Sequence, residues 1–381
     1  MHHKFAPALA ALALLSVSPV PVAAAATTPT ADAPQPSPYF EQPVADSHPL
    51  RIAQAAELEA YIKTTQQDEA ALRSLLRPDY SSPAAFAASV AAYRRAFSAS
   101  IGYPPLGSIP VEAARFDKMG EDSIGTYYRV TIAILPGVHA QGIYIVPQGL
   151  TSPAPLVVAI HGGAGSPELA LFNGGANYHD MVRGGVKRGY VVFAPQLLFS
   201  SPGLPKDLRK TIDERMRLIG TSLTAVESAK IIRSLDLLLQ RPEIDPARVG
   251  LVGLSYGGYY TLVTAALDLR IKVAVSSCYY GVQEGRYAHD ELSVPGDFRF
   301  TGRFNLFRDP DLIALICPRA LLIQAGDRDT ISPPEPGLTL APVSAGYYDR
   351  LGLGERFQHH VFSGKHEFHD ASAWAFVARH L

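Results

Sequence analysis

The sequence predicts an α/β fold, a mostly parallel, twisted sheet with helices on both faces. From residue 155 to the C-terminus, short apolar stretches of strand type alternate with stretches of helical spacing, which indicates repeated β-α-β units. Before them, the β-rich stretches 127–134 and 140–147 flank a Pro-Gly turn. That arrangement predicts an antiparallel N-terminal hairpin in the same sheet. A helical extension, residues 51–114, precedes the hairpin.

Each predicted element has its own local signature. The strands are short and mainly apolar, because a parallel strand covered on both faces does not alternate with polar residues. The helices carry apolar residues three and four positions apart. The predicted strands after the hairpin are 155–160, 190–194, 249–254, 271–276, 320–324 and 357–362, and the predicted helices are 52–76, 83–98, 222–239, 259–267 and 370–381.

The chain of 381 residues is predicted to have four parts. Residues 1–26 have a short basic start, an apolar stretch and then small residues, which is typical of a secretory signal peptide. A membrane anchor is the weaker alternative, because prolines interrupt the apolar stretch. Residues 27–50 are expected to be a disordered lead-in, 51–114 the helical extension and 115–381 the catalytic domain. We therefore expect a periplasmic or secreted protein.

Composition excludes several classes of function. A formal net charge of −1 gives no electrostatic argument for binding nucleic acid or anionic lipid. Only two cysteines are present, Cys278 and Cys317, so neither a disulfide framework nor a Cys-rich metal site is expected. They should lie at opposite ends of the sheet and stay reduced. The histidines show no metal-ligand spacing, and no dinucleotide fingerprint is present, so no metal and no cofactor are expected.

The segment 250–259 carries the candidate nucleophile, Ser255. An apolar strand stops at this serine, two glycines follow closely and a helix begins, which is the context that gives a Gly-x-Ser-x-Gly sequence meaning. Gly253 and Gly257 are expected to be required, because a side chain there would collide with the neighbouring strand or helix. The alternative is an ordinary glycine-rich loop with a surface serine.

A serine nucleophile needs a base, usually a histidine oriented by a carboxylate. Both should follow strands downstream of Ser255, because active groups gather at the carboxyl ends of parallel strands. His366, in a glycine-containing loop, is the predicted base, with His369 as the alternative. Asp329 is the predicted acid and Asp327 the alternative, although both aspartates could simply shape a turn.

Two backbone amides are predicted to stabilise the oxyanion of the transition state. One is the amide of Tyr256, at the start of the helix after the nucleophile. The other comes from the glycine-rich turn 161–165, where Gly163 is the first choice and Ala164 its neighbour. His161, which opens this turn, is interpreted as a buried histidine that holds the loop by hydrogen bonds.

Residues 199–218 have two open interpretations. This segment contains several prolines and basic residues between a strand and a long helix. It either overhangs the cleft and shapes the pocket for the acyl or alcohol group, or it is a solvated connection.

Three motifs together resemble the α/β-hydrolase superfamily. The similarity is to secreted dienelactone-hydrolase-like and acetyl-xylan-esterase-like members. Their nucleophile segment resembles residues 245–258, and their Pro-Arg strand with its acid loop resembles residues 317–329. Their histidine loop resembles residues 364–368. The resemblance covers roughly 115–381. It implies an α/β-hydrolase fold and hydrolysis of carboxylic esters through an acyl-enzyme. The resemblance does not fix the ester. From the Ser-Asp-His set together with the signal peptide, we expect an exported serine esterase that acts on small acyl groups, with acetyl groups on plant polysaccharide among the candidates.

The resemblance also has departures and competitors. Dienelactone hydrolases proper use a cysteine nucleophile, whereas this chain has Ser255, which favours ordinary esters. The Gly-x-Ser-Tyr-Gly-Gly sequence also looks like the prolyl-oligopeptidase group of serine peptidases. Those enzymes carry a large β-propeller, and the short helical region before Arg115 leaves no room for one. A non-catalytic binding protein of this fold would need a broken triad, and all three residue types are in place.

Overall fold

A computed structural model of the chain describes residues 38–172, 177–199, 201–288 and 296–381. The chain divides into two compact units, Met1–Glu59 and Ala60–Leu381. The predicted signal peptide lies outside the described residues. Within the predicted disordered lead-in, the described residues 38–50 include a 3-10 helix, Val44–Ser47, and the start of an α-helix at His48.

One mixed sheet organises the larger unit. In the described residues it has nine strands in the order β1-β2-β3-β5-β4-β6-β7-β8-β9. The first three strands pair antiparallel, β3 pairs antiparallel with β5, and the remaining pairs are parallel. The strands are β1 (Arg115–Glu121), β2 (Gly125–Leu135), β3 (Val138–Pro147), β4 (Ala154–Ile160), β5 (Val191–Pro195), β6 (Ile244–Leu254), β7 (Val273–Ser277), β8 (Ala320–Gly326) and β9 (Phe357–Phe362).

Helices cover both faces of this sheet. No helix in the described ranges combines the length and the apolar character that crossing a membrane requires. The α-helices of these ranges are α1 (His48–Gln67), α2 (Ala70–Leu75), α3 (Pro83–Ser89), α4 (Ala91–Ser100), α5 (Pro167–Phe172), α6 (Arg183–Lys187), α7 (Leu208–Arg217), α8 (Leu223–Leu238), α9 (Tyr256–Leu267), α10 (Val282–Ala288), α11 (Asp309–Ile316), α12 (Glu335–Asp349) and α13 (Asp370–His380).

The predicted fold class is confirmed, and the sheet has one strand more than the sequence predicted. The hairpin is β2 and β3, and β1 pairs with the free side of β2. Every residue of β1 is exposed or only partly buried, so this edge strand lacks the apolar run that identifies a strand in sequence. The expectation of a two-stranded antiparallel part is therefore corrected to three strands.

The sheet separates two hydrophobic clusters. Along β4, Leu156, Val158 and Ile160 belong to one cluster, whereas Val157 and Ala159 belong to the other. Successive side chains of a strand point to opposite faces, so an unbroken apolar strand supplies both cores. All seven residues of β4 are buried accordingly.

The helices α3 and α4 pack into the first of these clusters. Phe97 of α4 is fully buried, and its ring lies 5.8 Å from that of Phe300 and 5.6 Å from that of Phe307. The Arg94 guanidinium donates hydrogen bonds to the carbonyls of Ala266 and Leu315. This part of the predicted extension therefore shares the core of the main domain.

Candidate active site

Ser255 occupies the sharp turn between β6 and α9. Its φ of 59° and ψ of −118° are sterically costly for a residue other than glycine. The Ser255 amide donates a 2.8 Å hydrogen bond to the Ser277 carbonyl, which ties the turn to the end of β7. A Cβ on Gly253 would overlap the Gly257 carbonyl, and one on Gly257 would overlap the Ile160 carbonyl. The two glycines therefore permit the close approach that the turn requires.

His366 and Asp329 form a hydrogen-bonded pair. The Nδ1 atom of His366 lies 2.8 Å from Oδ2 of Asp329. The other carboxylate oxygen of Asp329 accepts hydrogen bonds from the amides of Ile331, at 2.9 Å, and Ser332, at 2.8 Å. Because an ionised carboxylate only accepts, Nδ1 carries the proton and Nε2 of His366 is left as a proton acceptor.

The surroundings keep Asp329 ionised. Burial disfavours the charged carboxylate, but the hydrogen bond from His366 and those from the Ser332 and Ile331 amides outweigh burial. The pKa of Asp329 therefore lies below its usual value. A carboxylate held in this state is suited to orienting a histidine and to stabilising it once it becomes charged.

Asp327 has a different position. Its Oδ1 atom accepts a 2.9 Å hydrogen bond from the amide of Gly364, and its own amide donates to the Phe362 carbonyl. These contacts fix the start of the loop that carries His366. The structure thus brings Asp329 into contact with the histidine, and Asp327 into contact with the backbone around it.

The other histidines near this edge have other contacts. Nδ1 of His369 lies 2.7 Å from the Ser372 hydroxyl and accepts from the Ser372 amide, so His369 caps α13. The rings of His360 and His369 lie 5.3 Å apart, beside Phe362. Neither His360 nor His369 has a hydrogen bond to Asp329 within the described part of the chain.

The sequence indicates only that Cys278 is a reduced cysteine. In the folded chain, this residue adjoins the acid–base pair. Its φ of 54° is again unusual, and its thiol donates a 3.4 Å hydrogen bond to the Glu367 carbonyl. Burial, with the Asp329 charge, raises the pKa of this thiol well above its usual value, so it is protonated and unreactive. Cys278 and Cys317 are both free, as predicted.

A metal ion could use the same cluster. Possible ligand atoms of Cys278, Asp329 and His366 lie within 4.8 Å of one another. Sulfur, nitrogen and carboxylate oxygen are ligands that zinc accepts. Here, however, the imidazole nitrogen that faces the carboxylate is already engaged by Asp329. The cluster therefore acts as a hydrogen-bonded unit.

The serine and the acid–base pair lie at the same edge of the sheet. Ser255, Cys278 and Asp329 follow the carboxyl ends of the neighbouring parallel strands β6, β7 and β8. The Ser255 amide bonds to the carbonyl of Ser277, and the next residue, Cys278, adjoins His366. The Ser255 hydroxyl has no hydrogen bond to any described residue, so the Ser–His bond itself is not formed here. Such bonds are often long until substrate is bound.

The glycine turn after β4 lies against the nucleophile. A Cβ on Gly162 would come within 3.2 Å of the Ser255 Cβ, and one on Gly163 within 3.2 Å of the Tyr256 ring. In the described parts of the chain, the amides of Gly163 and Tyr256 donate to no other group. Both predicted oxyanion donors thus border the serine and keep their N–H groups available.

His161 holds this turn in place. Its Nε2 atom accepts a 3.1 Å hydrogen bond from the Leu197 amide, so Nδ1 carries the proton and donates to the Gly162 carbonyl at 2.9 Å. Burial lowers the pKa of His161 to about 4, which keeps the ring neutral. The interpretation of His161 as a buried histidine that holds its loop agrees with these contacts.

An aromatic wall next to the serine is anchored by Arg209 of α7. The Arg209 guanidinium lies 4.3 Å from the centre of the Phe199 ring and 5.0 Å from that of Tyr256. It also forms a 2.7 Å ion pair with the buried Asp297. There are two interpretations of residues 199–218, and these contacts favour the one in which the segment lies over the cleft.

Sequence comparison finds a match to a known family in the central part of the chain. Residues 142–315 match the model of the Dienelactone hydrolase family. The matched range includes Ser255 and ends before Asp329 and His366. The protein YtaP of Bacillus subtilis (strain 168), named as a candidate hydrolase, is 30% identical over 125 residues. This match spans 32% of the present chain and 42% of YtaP.

Solved structures share the fold at low sequence identity. A methylesterase, BT1017, superposes with a TM-score of 0.62 at 18% identity, covering 83% of this chain and 68% of its own. A candidate acetyl xylan esterase from Bacteroides fragilis NCTC 9343 gives 0.60 at 18%, covering 77% and 80%. A glucuronoyl esterase from Solibacter usitatus gives 0.53 at 16%, covering 75% and 91%. The predicted α/β-hydrolase fold is confirmed by these structures. The match to the Dienelactone hydrolase family agrees with the predicted family resemblance.

Proposed function

We propose that this chain, which matches the Dienelactone hydrolase family over residues 142–315, is a serine esterase that acts through an acyl-enzyme. One observation carries the proposal. Ser255 follows β6 on a strained turn, and the hydrogen-bonded pair of Asp329 and His366 follows β8 and β9 at the same edge of the sheet. A nucleophile, a base and an acid in this relation are the parts that acyl transfer needs.

The acylation step uses all three side chains. The Ser255 oxygen attacks the ester carbonyl carbon while Nε2 of His366 takes the hydroxyl proton. Asp329 holds the other ring nitrogen and stabilises the resulting positive charge. The carbonyl oxygen becomes an anion that accepts from the amides of Tyr256 and Gly163. When the intermediate collapses, the bond to the alcohol breaks, the alkoxide takes the proton from Nε2, and the acyl group remains on Ser255.

Deacylation repeats these roles with water as the nucleophile. Nε2 of His366 removes a proton from the water, whose oxygen attacks the acyl carbon. The second intermediate uses the same two amides and returns the proton to the Ser255 oxygen as the carboxylic acid leaves. No group beyond the protein and water is required for this cycle.

Short acyl groups, on carbohydrates among other alcohols, are the proposed substrates. Some of the structural neighbours are named as an acetyl xylan esterase, a methylesterase and a glucuronoyl esterase. The N-terminal residues of this chain have the composition of a secretory signal peptide, which supports export to the periplasm or the medium.

The test is hydrolysis of p-nitrophenyl acetate by the purified protein and by Ser255→Ala. We expect release of p-nitrophenol by the wild type and a fall in kcat of about a thousandfold or more in the variant, because the acyl-enzyme cannot form. Ser74→Ala is a matched control, since this exposed serine of α2 donates its hydroxyl to the Ala71 carbonyl of the same helix. Full activity of Ser255→Ala would refute the proposal.

A further inference from the structure

One cavity in the described part of the chain has a volume of about 550 Å³. Its walls come from the end of α1, from α10 and from residues 299–305. Neither Ser255, Asp329 nor His366 lines it. The volume falls in the range of small-molecule binding sites in proteins, so the cavity is large enough to hold part of a substrate.

Aromatic rings form one wall of this cavity. The rings of Tyr287 and Phe304 stack at a centroid distance of 4.0 Å and an interplanar angle of 9°, and Tyr61 lines the cavity as well. Tyr61 is 67% exposed, so its ring is accessible to a ligand. Flat aromatic surfaces bind either another aromatic ring or the C–H face of a sugar ring, through dispersion and burial of apolar area.

Polar groups share the same cavity. Thr65, Gln66 and Asn305 line it beside the aromatic rings. Arg303, which is only 3% exposed, also lines it, and its Nε atom has no hydrogen-bond partner in the described ranges. A purely aromatic ligand would bury these donors and acceptors without partners, at a cost in free energy. A sugar unit can satisfy them with its hydroxyl groups while its C–H face covers the aromatic wall.

Two contacts connect segments next to the cavity wall with the elements that carry the reacting groups. Arg286, next to Tyr287, donates a 2.9 Å hydrogen bond to the carbonyl of Ile331, whose amide donates to Asp329. Phe298, just before the cavity-lining segment, has its ring 4.9 Å from that of Tyr256. Segments that continue from the cavity wall thus contact the elements that carry the nucleophile and the acid.

We propose that this cavity binds a sugar unit of the substrate, on the side of the alcohol from which the acyl group is removed. The assignment to the alcohol side rests on the proposed esterase function, whereas sugar binding itself does not. The two can therefore be tested separately.

Binding is measured by titrating Ser255→Ala protein with xylotriose in a calorimeter. Tyr61→Ala, added to this background, is expected to raise the Kd about three- to tenfold, because one aromatic contact is lost. Asn305→Ala, which removes a polar contact, should raise it as well. Leu58→Ala is the matched control, since this exposed residue of the same helix does not line the cavity.

Catalysis gives a second readout on proteins that keep Ser255. Tyr61→Ala is expected to raise KM for acetylated xylotriose much more than KM for p-nitrophenyl acetate, which has no sugar unit, whereas Leu58→Ala is expected to change neither. Absence of xylotriose binding, binding of phenol in its place, or an unchanged Kd in both cavity variants would overturn the proposal. Sugar binding by a protein that hydrolyses no ester would refute the esterase function and leave the sugar site standing.

Discussion

At the scale of single residues, the two aspartates after β8 lie close together in sequence and make different contacts. Asp329 faces His366 and accepts from two amides, whereas Asp327 bonds to the amide of Gly364. The sequence made both aspartates candidates for the acid, because they lie two residues apart in one loop after the same strand. The preference for Asp329 agrees with the observed contacts, and its catalytic role stays a prediction.

Asp329→Asn and Asp327→Asn form a matched pair for testing that role. In Asp329→Asn we expect kcat to fall about a thousandfold or more, since the imidazole loses the charge that fixes its tautomer. In Asp327→Asn the loss should be below about tenfold, because a side-chain oxygen can still accept from Gly364. Steady-state kinetics on p-nitrophenyl acetate measures both, and a larger loss in Asp327→Asn would transfer the acid role to that residue.

His161 predicts how stability depends on pH. The imidazole takes up a proton near pH 6.5 in the unfolded chain but only near pH 4 in the folded protein. Between these values unfolding binds a proton, so stability falls as the pH is lowered through this window. We expect the Tm advantage of the wild type over His161→Gln to be largest near neutral pH and to shrink toward pH 4. A Tm difference that stays constant across the window would contradict the assigned cause.

At the scale of elements, the turn from β6 to α9 places the serine. The sequence of this turn predicted the strand-turn-helix arrangement and the need for Gly253 and Gly257, because both depend on residues within one short stretch. The structure adds the partners, which are the carbonyls of Gly257 and Ile160. The edge strand β1 could not be predicted in the same way, since solvent covers most of its side chains and no apolar pattern marks it.

Gly253→Ala tests the turn directly. The new Cβ would overlap the backbone of Gly257, so we expect the free energy of unfolding to fall by about 3 kcal/mol or more and activity to fall with it. Gly250→Ala, in the same strand, is the control. There the nearest atoms are side-chain carbons of Val273 at 3.2 Å and Leu381 at 3.4 Å, which can move. Equal denaturation midpoints for the two variants would argue against the steric account.

At the scale of the whole molecule, the features that escaped prediction are those assembled from distant segments. The cavity that we propose as a sugar site brings Tyr61 together with residues more than 200 positions away in the sequence. Cys278 and His366, which lie close together, belong to two separate loops. No local pattern marks such neighbours. The three motifs could be placed together from the sequence because each follows one strand, and parallel strands bring their carboxyl ends to one edge.

The helices before the sheet are expected to be part of the cooperative fold. Phe97→Ala removes a fully buried ring that contacts Phe300 and Phe307, so the free energy of unfolding should fall by about 3–5 kcal/mol. Phe40→Ala is the control, because that ring is 89% exposed. Urea denaturation followed by tryptophan fluorescence reports on the sheet through Trp374. An unchanged midpoint in Phe97→Ala would show that α4 is not part of that fold.

Covalent labelling with a fluorophosphonate, followed by peptide mass spectrometry, tests most directly whether Ser255 is the nucleophile activated by His366. We predict one adduct per chain, on Ser255, formed together with the loss of esterase activity, and a labelling rate that falls sharply in His366→Ala. Inactivation through an adduct on another residue, or labelling of Ser255 at an undiminished rate without His366, would contradict this account.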